Sequence, residues 1–288
     1  MPVAHILLAI LASAMYGFAF VAIKLAVTDL PPLLVTGYRY LFAAIPLIFF
    51  VPVPKVPLRL LVAYGVTQGA VMFGLLFSAI RLGMPPGLAS LVVQMQVFFT
   101  VLFAVIVFSE RPRRHEIAGA AVAVSGILLI GFANAEITPP VPFLMVIASA
   151  AAWGLANIIA KAAKPTAMLG FVGWSSLAAP IPLFALSMVF EGTMFGLPDH
   201  VPSATSVLSI AFLAYPTTVF AFAAWIHLLR SHPAATVTPF ALLIPVFGMV
   251  STAIVFGEAL TPLTAAGSAL VFVGLAVNVF GSRLRFFS

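Results

Sequence analysis

Few side chains in this sequence can do acid, base, nucleophilic or metal chemistry: among 288 residues there are seven Asp and Glu, five His and no Cys. Without thiols there is no disulfide, thiolate metal site or cysteine nucleophile. The histidines make no ligand constellation, since only His227 stands near the end of an apolar stretch and no His-Glu-x-x-His segment occurs. A glycine-rich phosphate loop is also missing, which excludes a nucleotide-driven pump within this chain. An intramembrane protease would need paired Asp or a Ser/His pair at depth, and neither is present. None of the seven carboxylates falls in the middle of an apolar stretch, so the usual buried proton relay is absent too. We expect no enzymatic activity, no cofactor and no metal.

What remains is recognition, carried by polar groups inside apolar runs, where such groups are costly. Arg39, beside Tyr38, is the single permanent cation so placed. A guanidinium fits a carboxylate through two parallel hydrogen bonds, and it also anchors a helix near an interface, so two roles stay open. Tyr16, Phe20 and Lys24 recur at i, i+4 and i+8, as do Trp153, Asn157 and Lys161, each set making one helical stripe. The lysines read as snorkelling ends. Asn157 lies deeper, for cavity lining or a hydrogen bond between helices. Gln94 and Gln96 point about 200° apart on an ideal helix. Ser90 and Phe98 share the face of Gln94, which makes Gln94 the preferred site residue. Tyr215, Thr218, Phe222 and Trp225 form an aromatic stripe with one hydroxyl, suited to a binding wall, to packing or to lipid. Trp174, Ser175, Gln68 and Met72 complete the candidates.

The elements that must hold these groups are set by composition. The chain is 63% hydrophobic and 7% charged, where a soluble surface needs roughly 25–35% charged residues. Its mean hydropathy is +1.22, which points to a bilayer as solvent. The net charge of +6 then reads as loop bases that orient the chain and not as a nucleic-acid site. Apolar stretches fall near 5–27, 33–51, 58–80, 86–108, 114–133, 142–163, 169–190, 203–229, 234–256 and 263–282. The first is too long for a signal-peptide core, lacks basic residues before it and continues into Lys24. Barrel strands would alternate in segments of about 10 residues. The expected fold is an all-α integral membrane protein of ten transmembrane helices, whose partners are the lipid bilayer and a small-molecule substrate. A monomer suffices, and the oligomeric state stays open.

Bases are distributed unevenly. With the N-terminus cytoplasmic, and with Lys24 and Arg39 left out as lying within or at the ends of spans, Lys55, Arg59, Arg111, Arg113, Arg114, Lys161, Lys164, Arg230, Arg283 and Arg285 lie inside and only Arg81 outside, so both termini are expected in the cytoplasm. Asp29, Glu136, Glu191, Asp199 and Glu258 fall on the outer side.

The two halves resemble each other. Tyr16-Gly17 and Lys24 match Trp153-Gly154 and Lys161 at an offset of 137, while Glu110, Gly119 and Gly126 match Glu258, Gly267 and Gly274 at an offset of 148. Five helices per copy is an odd number, so the second copy enters from the opposite side, giving inverted repeats of 1–136 and 137–288 around a central cavity. The paired glycines lie seven apart, on one helix face, where backbones can approach closely. Glu110 and Glu258, at span ends, are free to reach solvent or cap the following helix.

The aromatic-Gly then Lys, Arg39-Tyr40, the terminal Glu and the Gly-x6-Gly helix together resemble the EamA-type drug/metabolite transporter superfamily over essentially the whole chain. Within it the chain is similar to the YddG-type exporters of aromatic amino acids. The resemblance implies a ten-helix bacterial-type inner-membrane exporter of amino acids and other small metabolites. One departure is visible: the proline expected before the terminal Glu is Pro245 in the second half but Val97 in the first, so any kink should be unequal between halves.

Overall fold

Apolar runs of this length find no water in a bilayer for their backbone groups, so they close their hydrogen bonds internally as helices. A computed structural model describes residues 1–133, 139–194, 196–232, 234–259 and 261–281. Among the described residues ten helices are long and apolar enough to cross a membrane. They are α1 (Val3–Asp29), α2 (Pro32–Phe50), α3 (Leu58–Arg81), α4 (Pro86–Phe108), α5 (Arg114–Ala133), α6 (Pro140–Ala163), α7 (Met168–Phe190), α8 (Ala204–Ser231), α9 (Thr238–Phe256) and α10 (Pro262–Phe280). No β-strand occurs among the described residues, only an isolated bridge between Met194 and Leu197. Glu136, Arg283 and Arg285, which entered the charge count, and the junction between 136 and 137 lie outside the described residues.

Proline opens several of these helices. Pro32, Pro86, Pro140 and Pro262 stand in the first helical turn, where the missing N–H costs no bond. Large side chains such as Phe49, Phe50, Phe132 and Ile254 cover the outside of the bundle, as expected where the surroundings are lipid.

The repeat is visible in how helices meet. A Cβ added to Gly17 of α1 would come within 2.5 Å of Phe247 Cβ and 2.7 Å of Gly248 N in α9. The equivalent Gly154 of α6 would meet Phe99 Cβ at 2.7 Å and Thr100 N at 2.9 Å in α4. Phe99 and Thr100 correspond to Phe247 and Gly248 at the offset of 148, so these are the same crossing made twice. The Gly-x6-Gly helices α5 and α10 pack on each other, backbone to backbone.

Departures from α geometry are also duplicated. Residues Val66–Phe73 of α3 and Leu213–Ala221 of α8 are π-helical, and the two segments correspond at the offset of 148. Residues Val93–Met95 of α4 and Thr238–Leu242 of α9 are 3-10, again overlapping at that offset. Both halves thus leave α geometry at this level, the first without a proline at the position that corresponds to Pro245. Such irregular backbone at depth is tolerated only where protein surrounds it or a cavity borders it.

Candidate functional site

Arg39 is carried by α2 into the interior of the bundle and is only 5% exposed. This excludes the role of an interface anchor. Its Nε donates to Thr218 Oγ1 at 3.1 Å. Its Cζ lies 3.9 Å from the centre of the Phe73 ring, 5.7 Å from that of Tyr40 and 5.8 Å from that of Phe77. Tyr16 is within electrostatic reach. Nη1 is buried and has no hydrogen-bond partner among the described residues. Among the described residues no acid pairs with Arg39; Glu110 pairs with Lys161 and Asp29 with His200. The cation is thus held by aromatic faces and one hydroxyl, without a counter-ion, and aromatic contact of this kind is worth about 2 kcal/mol when desolvated.

Its two main neighbours belong to the two π segments. In α8, Pro216 supplies no N–H and cannot continue the α ladder. The Thr218 hydroxyl donates to the Leu213 carbonyl at 2.8 Å, and the Thr217 hydroxyl reaches the same carbonyl and that of Phe212. With its proton used in this way, Thr218 Oγ1 is an acceptor for Arg39. In α3, Ser149 of α6 donates to the Met72 carbonyl at 2.8 Å. Phe73 closes that π segment and Gln68 stands five residues earlier, one π turn away on the same side. Among the described residues Gln68 Oε1 is buried without a partner, while its Nε2 has only a weak contact to Met72 Sδ at 3.9 Å. A buried cationic donor and a buried acceptor therefore flank one turn of α3.

The other candidates separate into those near this centre and those used elsewhere. Gln94 is buried in the 3-10 turn of α4, and Trp153 packs against the main core. Met72 and Phe98 are core side chains. Ser90 is fully buried, donates to the Gly87 carbonyl at 2.6 Å and fills the crossing with Gly248. Asn157 donates to Gln96 Oε1 at 2.9 Å and to Thr100 Oγ1 at 3.0 Å, which makes it and Gln96 a tie between α6 and α4. Tyr38 donates to the Gly196 carbonyl and stacks on Phe42, pinning the connection after α7. Trp174 donates to the Val51 carbonyl at 3.3 Å, and Ser175 to that of Val172 at 3.1 Å.

The aromatic stripe of α8 does not face the centre as one wall. Tyr215 is 46% exposed, Phe222 packs near Phe171, and Trp225 packs near Ala9 and Ala12. A π turn has more residues than an α turn, so positions that align at 3.6 residues per turn are rotated apart. Thr218, the one hydroxyl of the stripe, is the member that reaches Arg39.

The charged span ends have fixed partners. Glu191 accepts from the N–H groups of Leu33 and Leu34 at 2.8 and 3.2 Å, capping α2. Asp29 accepts from Ser203 N at 2.9 Å at the start of α8. Glu258 accepts from Gly87 N at 3.0 Å at the start of α4, and so caps a helix of the other half and not the one that follows it. Burial holds the Glu258 carboxyl above its ordinary value, against the pull of Thr252, Gly87 and Lys24. Glu110 instead pairs with Lys161 at 2.6 Å. Three histidines meet at one end of the bundle: His5 lies against His232 and His227, with ring centres 4.9 and 5.4 Å apart. Among the described residues no group of His, Asp or Glu could hold a metal ion.

Ten apolar helices, two copies of one arrangement and a buried polar centre between them define a membrane transporter. Residues 3–132 and 141–280 each match the EamA-like transporter family, and the chain belongs to it. It is 40% identical over 291 residues to a Salmonella typhimurium protein named "Probable amino-acid metabolite efflux pump", covering 96% of this chain and 95% of that one. An Escherichia coli protein of the same name is 38% identical over 286 residues, with the same coverage. A solved crystal structure shares the fold at a TM-score of 0.66, with 19% identity and 99% of both chains covered.

Proposed function

We propose that this chain is a carrier that exports small amphipathic metabolites, amino acids including aromatic ones, by alternating access between the two five-helix repeats of 1–136 and 137–288. The observation that carries the reading is Arg39, a buried cation whose Nη1 has no partner. A substrate carboxylate is the complementary group, because a guanidinium binds it in a planar fork and gains most where water is excluded. Gln68 Oε1, the orphan acceptor one π turn from Phe73, suits the substrate ammonium. Phe73, Phe77, Tyr16 and Trp153 offer flat apolar faces to a side chain. The uneven distribution of bases supports a cytoplasmic N-terminus and C-terminus in a bacterial-type inner membrane. The names of the two relatives support the substrate class.

Transport is facilitative on this reading, since among the described residues no acid pairs with Arg39. The test is uptake and counterflow of a panel of labelled amino acids in proteoliposomes. Counterflow by phenylalanine or tryptophan that is lost in Arg39→Met supports the reading; equal uptake by both proteins overturns the site.

One observation favours a second reading, proton-coupled export. Glu258 is half-buried, with its carboxyl held above the ordinary range. Uphill accumulation driven by an imposed proton gradient and lost in Glu258→Gln would establish coupling through this group.

A further inference from the structure

The repeat relates two pairs of opposite charges. Lys24 corresponds to Lys161, and Glu258 to Glu110. Each lysine lies near the C-terminal end of the first helix of one half, and each glutamate follows the fourth helix of the other half. Those helices are the ones that cross in equivalent ways, α1 with α9 through Gly17 and α6 with α4 through Gly154. Consecutive spans run in alternate directions. The ends of α1 and α9 therefore lie at one membrane face, and the ends of α4 and α6 at the other.

Although their chemistry is identical, the two pairs are in different states. Lys161 Nζ stands 2.6 Å from Glu110 Oε1, both side chains about half exposed, and 5.1 Å from the centre of the Phe108 ring. Glu258 forms no ion pair among the described residues. Its Oε2 accepts from Gly87 N at the start of α4, with Lys24 near enough only for a longer-range attraction. Residue type cannot account for one pair being closed and its copy open; a difference of conformation can.

We propose that the two Lys–Glu pairs are alternating clamps of the transport cycle. In the conformation described here the α4–α6 clamp is closed by Lys161 and Glu110, and the α1–α9 clamp is open with Glu258 docked on the N-terminus of α4. In the opposite conformation Glu258 leaves Gly87 for Lys24, and Glu110 releases Lys161. An ion pair in contact with water is a weak contact. Weakness suits this task, because a carrier must leave either state readily and a small bias is enough to redistribute two states of similar energy. The docking of Glu258 on α4 adds the link between faces: the helix whose end is clamped at one face has its beginning held by the free glutamate at the other.

The proposal rests on the carrier reading only in needing two alternating states. Its test requires no substrate, so the failure of one is distinguishable from the failure of the other. The chain has no cysteine, which permits spin labels at chosen positions. Labels at Thr28→Cys with Val255→Cys report on the α1–α9 ends, and labels at Val107→Cys with Ala162→Cys on the α4–α6 ends, all four being exposed positions. Pulsed electron resonance in lipid nanodiscs then gives both distances. Glu110→Gln should lengthen the α4–α6 distance and shorten the α1–α9 distance in a severalfold larger share of molecules. Glu258→Gln should shift the population the other way. The double exchange Lys161→Glu with Glu110→Lys should return the wild-type distribution, which separates the pair from any general effect on folding. Distances unmoved by Glu110→Gln, or moved in the same direction by both glutamine variants, would overturn it, as would failure of the exchange to restore them.

Discussion

His5 Nδ1 and His232 Nε2 lie 2.6 Å apart, joining the beginning of α1 to the end of α8 across 227 positions of sequence. A hydrogen bond between two imidazoles needs one ring neutral as acceptor. Burial, then His5, the terminal amine and His227, lower the His232 pKa below its ordinary value of 6.5. For a group lowered in this way, the contribution is complete above 6.5 and is lost as pH falls through the lowered value. Amide exchange in residues 3–8, corrected for the intrinsic rate, should therefore rise as pH is taken from about 7 to 5. In His232→Gln that rise should disappear. Equal protection of the segment at both pH values in the wild type would refute the contact.

Arg39→Met should divide stability from transport. An apolar side chain of similar size removes the desolvation penalty of a buried charge without a counter-ion, several kcal/mol in order of magnitude, and this offsets the lost aromatic contact of about 2 kcal/mol. The variant should unfold at the same temperature or higher in detergent. Its counterflow of amino acids should nevertheless fall by at least about 30-fold, the loss expected when one partner of a buried charge pair is removed, roughly 2–5 kcal/mol. Loss of both properties together would make Arg39 a structural residue.

Thr218→Val keeps the side-chain volume but removes the acceptor of Arg39 Nε. Leaving a buried charged donor unsatisfied costs about 1–3 kcal/mol. The part of the cost that belongs to this bond should vanish in the background of Arg39→Met, whereas the lost bond to the Leu213 carbonyl is common to both backgrounds, so thermal unfolding of the four proteins should yield a coupling energy of that order. Additive effects would separate the two residues.

Gly274→Ala should weaken the contact of α5 with α10. The added methyl would sit 2.5 Å from the Gly119 carbonyl oxygen and 2.7 Å from Ala123 N, and backbone atoms cannot rotate away. Overpacking of this kind costs about 1–3 kcal/mol. Heat denaturation in micelles should register it, whereas Ala266→Ser, at an exposed position of the same helix, should change little. A neutral Gly274→Ala would mean that the helices can separate without penalty.

The spans were legible in the sequence because length and hydropathy decide them without reference to other helices. The Gly-x6-Gly pairs were legible too, since seven residues return a helix to the same face. The candidate site is less legible. Arg39 stands out by its charge within an apolar run, yet its burial depends on Phe73 and Thr218, which lie 34 and 179 positions away. Spacing alone does not show that Gln96 accepts from Asn157 while Gln94 is buried nearby. The stripe of Tyr215, Phe222 and Trp225 assumes 3.6 residues per turn, and the segment that begins it has a wider turn. Pro216 was the local sign of that change, and no comparable sign marks α3. The meeting of His5 with His232 and the capping of α4 by Glu258 join residues more than 170 apart, and spacing along a chain contains no information about them.

The contact of α5 with α10 has a reciprocal form: Gly119 faces the Gly274 carbonyl and Gly274 faces the Gly119 carbonyl, while Gly126 and Gly267 do the same. Reciprocity of this kind is the mark of a two-fold interface between identical subunits, where each surface patch meets its own copy. A five-helix chain carrying one such helix would be able to pair with a second molecule inserted upside down, using nothing but that seam. Joining the two genes end to end would then preserve the assembly and release each half to change independently, leaving Arg39 in one copy alone.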